Sequence, residues 1–321
     1  MKILITGSEG NIGRRLVPYL KSKGHDLFRF DIKQGYADDY LTGNICNVYE
    51  LHRAFELFNP EVVYHMAAMV SRVTCEAAPS LTVDVNLNGT GNVIQMCRDF
   101  GAKMIYFSTS EVYGNKGGEL SEDEPCVPNN FYGLTKYLGE KLVEYFLNDG
   151  LKAVTVRPFM FYDENEDRGD HRSAMIRFVK DLSEDKPITV HRGAMRSWMH
   201  IDDAVRVLEQ VMFISEYEII NIGHPNVISV EELADIILLR LGKPRELIKI
   251  TDLPGKMTLT KYPSLSKQTE LLKIIPQISV TEGINRVIDV FKGASDKPLG
   301  RRSLSPSEHW VSTSDDLGLG Y

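Results

Sequence analysis

Strand and helix alternate from the first residue. Lys2–Thr6 (KILIT) is a short β-branched run that stops at a glycine, and a helical period follows over Asn11–Lys23. The beat repeats with a strand at His25–Asp31, a helix at Val48–Phe58 and a strand at Val62–Met66. It continues with a long helix at Pro79–Phe100, a strand at Lys103–Ser108, a helix at Phe131–Asn148 and a strand at Ala153–Val156. The strands are apolar throughout rather than alternating. Such strands are buried on both faces, which requires a parallel sheet with helices on each side. The expected fold class is α/β, a Rossmann-type doubly wound parallel sheet.

The second half changes character. Arg172–Leu182 and Ser229–Leu241 read as helices, and the latter opens with a capping box, Ser229 then Glu232. A second box, Ser279 then Glu282, opens a helix that ends near Lys292. The strands between are short and irregular, as in a smaller mixed α/β domain. Ala294–Ser307 is rich in Ser, Pro, Gly and Arg and reads as a loose tail.

Hydrophobic residues at 43% and charged residues at 25% are globular values, which exclude a disordered chain. The net charge of −7 and the lack of long like-charge runs give no basis for binding nucleic acid or a membrane surface. No apolar run approaches the ~18 residues that span a bilayer. Cys46, Cys75, Cys97 and Cys126 are scattered without a CxxC pair, so they read as free thiols and not as metal ligands. The start MKILITG has no charged leader, so a cytoplasmic protein is expected.

Gly7-Ser-Glu-Gly10-Asn11-Ile12-Gly13 lies between the first strand and the first helix. Gly7 permits a tight turn, Gly10 lets a pyrophosphate approach the backbone, and Gly13 lets helix and strand pack closely. The phosphates would sit on the helix N-terminus, where free N–H groups and the dipole favour anions. Asp31 closes the second strand, 18 residues after Gly13. A carboxylate there accepts from both ribose hydroxyls and repels a 2′-phosphate, which favours NAD over NADP. Arg14, Arg15 and Lys33 stand nearby as candidate phosphate ligands.

The fifth strand ends in Ser108-Thr109-Ser110-Glu111, where open parallel sheets bind their ligands. Tyr132 and Lys136 open the following helix. Two other pairs share that spacing, Tyr19/Lys23 and Tyr137/Lys141. The first lies deep in its helix, and the second is rotated by about 140° from Tyr132. The helix start at Tyr132 lies beside the strand ends. A phenol near pKa ~10 is a poor base at neutral pH. An ammonium one turn away and an oxidised nicotinamide would both stabilise its phenolate. Such a phenolate could take a proton from a sugar hydroxyl, with Thr109 hydrogen-bonded to that oxygen.

Over residues 1–292 the chain resembles the extended short-chain dehydrogenase/reductase family, the nucleotide-sugar epimerases and dehydratases. The resemblance rests on GSEGNIG, Asp31, TGNICN at 42–47, YHMAA at 64–68, NLNGT at 86–90, STSEVYG, FYGLTK, RPF at 157–159 and RSWMHIDD at 196–203. It implies an NAD site built from Gly7, Gly10, Asn11, Ile12, Gly13, Asp31, Asn44, Ile45, Ala67, Ala68, Tyr132 and Lys136. It implies catalysis by Thr109, Ser110, Glu111, Tyr132 and Lys136, and a nucleotide-sugar substrate near Asn86 and Arg196. The implied reaction is transient oxidation at sugar carbon 4. Glu111 after Ser110 looks like the 4,6-dehydratases, where a carboxylate removes the C5 hydrogen, and like the UDP-glucuronate decarboxylases. An NADP-dependent carbonyl reductase and a non-catalytic dinucleotide-binding protein are the other readings. Two departures stand out. The usual substrate-contacting asparagine is Met160, and the nucleotide-clamp arginine is absent from Leu253-Pro254-Gly255-Lys256, leaving Lys256 as the candidate cation. The implied division is 1–160 with 198–224 for the dinucleotide, 161–197 with 225–292 for the substrate, and a tail at 293–321. A homodimer through the helices at 79–100 and 131–148 is also implied.

Overall fold

The computed structural model describes residues 1–166, 173–253 and 258–295. The first strands are β1 (Lys2–Thr6), β2 (Asp26–Asp31), β3 (Tyr40–Thr42), β4 (Val62–His65) and β5 (Lys103–Phe107). With strands Lys152–Pro158 and Ile219–Ile222 they form one seven-stranded sheet. Its order is 219–222, 152–158, β5, β4, β1, β2, β3, and every neighbouring pair is parallel. From β1 the chain steps outward to β2 and β3, then crosses back to pair β4 on the other side of β1. That reversal opens a crevice at the carboxyl ends of β1 and β4, the place where doubly wound sheets hold ligands.

The helices are α1 (Gly13–Ser22), α2 (Val48–Phe58), α3 (Arg72–Ala77), α4 (Pro79–Val83), α5 (Gly89–Phe100) and α6 (Phe131–Leu147). Side chains alternate across β1 and so build two cores at once. Ile3 and Ile5 pack with Leu16 and Leu20 of α1 and with Val205 and Leu208 of helix Ile201–Val211. Leu4 faces the other way, into Leu51 and Phe55 of α2 and Val93 and Met96 of α5. A third core joins Tyr162, Phe178, Trp198, Leu233, Ile237 and Ile284 from the second half of the chain. Ser229 and Ser279 cap their helices as expected, accepting from the amides of Glu232 (2.9 Å) and Glu282 (3.2 Å). The second of these helices runs Val280–Ser295, past the expected end at Lys292.

The single long helix expected over Pro79–Phe100 is instead two helices joined by a π turn at Asp84–Asn88. Thr90 Oγ donates to the Asn86 carbonyl (2.7 Å), a side-chain bond that competes with the regular ladder. At Gly89 the turn presses on Ile45, where an added Cβ would lie 2.6 Å from Cδ1. Helix α3 was not expected; Ser71 opens it by accepting from the Thr74 amide (3.4 Å). Of the tail from 293, residues 296–321 lie outside the described residues.

Candidate active site

The glycine turn does what its spacing implies. Gly7 has φ +74°, and a Cβ there would meet the Ala67 backbone at 2.6 Å. A Cβ at Gly13 would lie 2.4 Å from the Ser8 carbonyl oxygen. Helix α1 carries no side-chain cap and no acidic residue in its first turn, so its positive end is left for an anion. A cavity of about 700 Å³ opens over this turn. Gly7, Gly10, Asn11, Ile12, Gly13, Asp31, Asn44, Ile45, Ala67 and Ala68 all line it. The glycine cradle, the open helix end and a carboxylate at the far end are what a dinucleotide needs. The buried Ser8 hydroxyl, without a hydrogen-bond partner among the described residues, adds a polar group at the turn.

Asp31 is buried and is held by the amides of Glu9 (2.8 Å) and Lys33 (3.0 Å), which fixes its carboxylate at the end of β2. The cations considered for a 2′-phosphate are engaged elsewhere. Arg15 pairs with Glu164 (3.0 Å) and Asp202 (2.8 Å), while Arg14 and Lys33 donate to the Glu9 carbonyl (3.0 and 3.3 Å). Asn44, implied for the NAD site, has its Oδ1 engaged by the Cys46 amide (2.9 Å) of its own turn.

At the end of β5, Thr109 hydrogen-bonds the Tyr132 phenol and also caps the 3-10 turn Ser110–Tyr113, accepting from the Glu111 amide (3.2 Å). Ser110 is buried in that turn. Asn130 caps α6 through the Gly133 amide (2.8 Å), so the helix begins at Phe131 with Tyr132 in its first turn. The three Tyr/Lys pairs separate clearly. Lys23 lies over the Tyr19 ring and Lys141 over the Tyr137 ring (5.3 and 5.1 Å), as surface pairs do. Lys136 turns inward and lies 4.5 Å over Tyr106. The electrostatics differ from expectation. Burial raises the Tyr132 phenol above its ordinary value, against the depression anticipated from Lys136. Burial also pushes the Lys136 ammonium down to about 7. Lys136 is buried and Tyr132 half-buried, and desolvation outweighs the Thr109 hydrogen bond, which favours the phenolate. Beneath them His65 bridges Thr6 (2.9 Å) and Thr90 (3.0 Å), and burial with the nearby Lys136 pushes its imidazole down to about 3.

Asn86 was expected to touch substrate. Its amide is spent inside the protein: Nδ2 donates to the Met69 carbonyl and to Thr135 Oγ (both 3.0 Å), and Oδ1 accepts from the Met69 amide (2.8 Å). It therefore ties the cavity-lining loop at 66–70 to α6. Arg196 makes no ion pair with Asp202 or Asp203; its guanidinium donates to the carbonyls of Met195 (2.7 Å), Thr258 (2.6 Å) and Leu259 (2.8 Å). Lys256 lies outside the described residues. Met160 keeps a left-handed backbone at φ +42°, a conformation asparagine adopts far more readily than methionine.

Glu111 has partners the sequence did not signal. Its carboxylate accepts from Lys261 Nζ (2.7 Å) and Asn130 Nδ2 (2.8 Å), with Arg72 at 3.6 Å. Lys261 and Arg72 hold it below the usual carboxylate range despite burial. Lys261 stands 150 residues away on the strand Thr260–Pro263, and no local pattern marks it. Asn130 could have been found, since asparagine ahead of an apolar helical run is an N-cap signal.

The family model described as NAD dependent epimerase/dehydratase family matches residues 3–223. A UDP-glucuronate 4-epimerase of Thermodesulfobacterium geofontis is 28% identical over 312 residues, covering 89% of this chain and 94% of that one. UDP-glucuronic acid decarboxylase 1 of Xenopus tropicalis is 26% identical over 312 residues, covering 91% of this chain and 72% of that one. Among solved structures, the UDP-glucose 4-epimerase of Thermotoga maritima with UDP-glucose shares the fold. It has a TM-score of 0.83 at 24% identity, with 92% of this chain and all of that one covered.

Proposed function

Because the chain belongs to the NAD dependent epimerase/dehydratase family and its cofactor is NAD, we propose that it oxidises a nucleotide sugar transiently at carbon 4 and that the substrate is a uronic acid. When bound, NAD supplies a reversible acceptor for the hydrogen on that carbon. The glycine turn and the start of α1 hold its pyrophosphate, Asp31 its adenine ribose, and Ala67 and Ala68 its nicotinamide end. Asn44 and Ile45 flank the adenine. Tyr132 takes the proton of the 4-hydroxyl, Thr109 orients that oxygen, and Lys136 stabilises the phenolate once the positively charged ring is in place. Residues 1–160 with 198–224 serve the cofactor, and 161–197 with 225–292 serve the substrate. Arg196 and Lys256 stand as the cations for the diphosphate.

The observation that carries the uronic-acid reading is the Glu111–Lys261 pair at 2.7 Å. Dehydration would need Glu111 free as a base for the C5 hydrogen. Here Lys261, Arg72 and Asn130 hold the carboxylate and weaken it as a base. With Glu111 ionised, Lys261 and Arg72 leave this cluster one positive charge in excess, which favours a carboxylate on the sugar. On such a substrate a ketone at carbon 4 is a β-keto acid, which either loses carbon dioxide or is reduced again from its other face. The similar relatives named for UDP-glucuronate epimerisation and UDP-glucuronic acid decarboxylation support this choice over 4,6-dehydration. The test is product mass after incubation with UDP-glucuronic acid, UDP-glucose and dTDP-glucose. Turnover of the uronate at unchanged mass, or with loss of carbon dioxide, is expected. Loss of water from a neutral sugar, or silence toward the uronate, overturns the reading.

Helix α6 exposes Leu134, Leu138 and Tyr145 along one side, and α4 exposes Leu81. We propose that these faces pair in a homodimer, to be checked by light scattering. Among the described residues no helix is long and apolar enough to cross a membrane. All four cysteines are free thiols, which fits the proposed cytoplasmic setting.

A further inference from the structure

Behind the catalytic strand end lies a buried ion pair that the reaction as drawn does not use. Glu140 sits one helical turn beyond Lys136 on α6 and is fully buried. Arg157, on the strand Lys152–Pro158, meets it with a fork: Nε to Oε1 at 2.9 Å and Nη2 to Oε2 at 2.8 Å. The side chains are 3% and 0% exposed. Ser108, the residue before Thr109, donates its hydroxyl to the same Glu140 Oε1. Arg157 also donates to the Tyr113 hydroxyl (2.8 Å) and the Glu122 carbonyl (3.2 Å), and Tyr113 in turn donates to Asn221 Oδ1 (2.7 Å). Helix α6 lies close on β5 because residue 139 is glycine: a Cβ there would fall 2.0 Å from the Tyr106 hydroxyl, which donates to the Lys136 carbonyl (3.1 Å).

We infer that Glu140 is a positioning residue for the chemistry at Tyr132, clamping the strand end that carries Thr109 against the helix that carries Tyr132 and Lys136, with Arg157 as its fixed counterion. The inference rests on the assignment of Tyr132 and Lys136 proposed above. A buried carboxylate is costly unless paired, and isosteric apolar residues would serve packing alone at least as well. Here the carboxylate joins three elements: α6, the end of β5 and the neighbouring strand. It also has an electrostatic reach. The titratable groups facing Lys136 are His65 from β4, Tyr106 from β5, Cys75 from α3 and Glu140 from α6, and Tyr132 faces Tyr106 beside them. Glu140 is the carboxylate among them, and it favours the charged form of Lys136 against burial. Tyr106, Cys126, Lys141 and Tyr217 also face Glu140.

The sign of the effect follows. Without the anion, Lys136 loses its proton at lower pH, and the Tyr132 phenolate loses its ammonium partner. In NAD-loaded protein, Glu140→Gln should move phenolate formation upward by about one pH unit. That is read by ultraviolet difference titration against Tyr132→Phe as the blank, and it needs no substrate. With UDP-glucuronic acid as the probe, the acid limb of kcat should rise by the same amount. At neutral pH kcat should fall about tenfold with KM unchanged. Glu140→Asp keeps the charge and should restore the limb. Ser108→Ala breaks only the strand-end bond; it should lower kcat about threefold without moving the limb, and it carries the test if Glu140→Gln does not fold. A Glu140→Gln titration superimposable on the wild type, or a Ser108→Ala kcat equal to it, overturns the inference alone. A wild-type difference titration with no phenolate assignable to Tyr132 overturns the assignment beneath it as well.

Discussion

Gly13→Ala is the sharpest test of the cofactor cradle. The added Cβ would stand 2.4 Å from the Ser8 carbonyl oxygen, 2.6 Å from its carbon and 2.8 Å from the Gly7 oxygen. Ordinary contact begins at 3.4 Å, so the nearest approach is a full ångström short. All three atoms are backbone of the turn, and none can swing aside. The start of α1 must therefore retreat from the turn by about that distance, at a cost of about 1–3 kcal/mol in folding stability. The retreat also pulls the open N–H groups of the helix away from a bound pyrophosphate. A hydrogen bond to a charged group contributes about 1.5–3 kcal/mol, so losing one weakens NAD about tenfold to a hundredfold. Gly91 in α5 is the control: among the described residues outside its own helix backbone and chain neighbours, nothing lies within 4 Å of its Cβ position. Alanine there should stabilise the protein by about 0.5–1 kcal/mol and leave NAD binding alone. The assays are calorimetric NAD titration and thermal unfolding. A Gly13→Ala protein with wild-type NAD affinity and a melting temperature no lower than that of Gly91→Ala would refute the packing argument.

Other outcomes follow from the same geometry. Tyr132→Phe should lower kcat by about 10²–10⁴-fold and leave NAD binding intact, measured by steady-state kinetics and NAD titration. Tyr137→Phe, at the neighbouring surface pair with Lys141, should leave kcat at the wild-type value in the same assay. Lys136→Met should stabilise the fold at neutral pH by a few kcal/mol while abolishing activity, on the order expected for a buried ammonium. The Lys136 pKa falls from 10.5 unfolded to about 7 folded, so the unfolded chain binds more protons between those values. The penalty is full below about 7 and fades as pH rises toward 10.5, so the gain in melting temperature should shrink between pH 7 and pH 10. A gain independent of pH would show that Lys136 keeps its ordinary pKa in the native state, and a gain that grows with pH that partners hold it charged.

Much of the fold was legible because the signals are local. An apolar run such as Lys2–Thr6 or Val62–His65 is a strand whatever follows it, and Asn130 or Ser229 caps a helix through bonds three residues away. The glycine turn was legible for the same reason, since Gly10 and Gly13 pack on Gly7 and Ser8 of the same turn; the approach of Ala67 to Gly7 was not. The π turn at Asp84–Asn88 was not, because its cause lies in where Asn86 and Gly89 meet other elements.

In the site, position along the chain set Tyr132 and Lys136, the proposed catalytic pair, apart from the two other Tyr/Lys pairs, because a helix start beside strand ends is a topological fact. The charge state of those residues was not readable, since desolvation depends on what packs around them. The partners of Glu111 lay further still out of reach: Lys261 arrives from a strand 150 residues away. Sequence alone thus determined the doubly wound sheet, the dinucleotide turn and the family of chemistry, all of which are written in short-range patterns. Only tertiary structure decided what each carboxylate does, because a buried charge takes its role from the nearest opposite charge, and distance in space has no counterpart in sequence spacing.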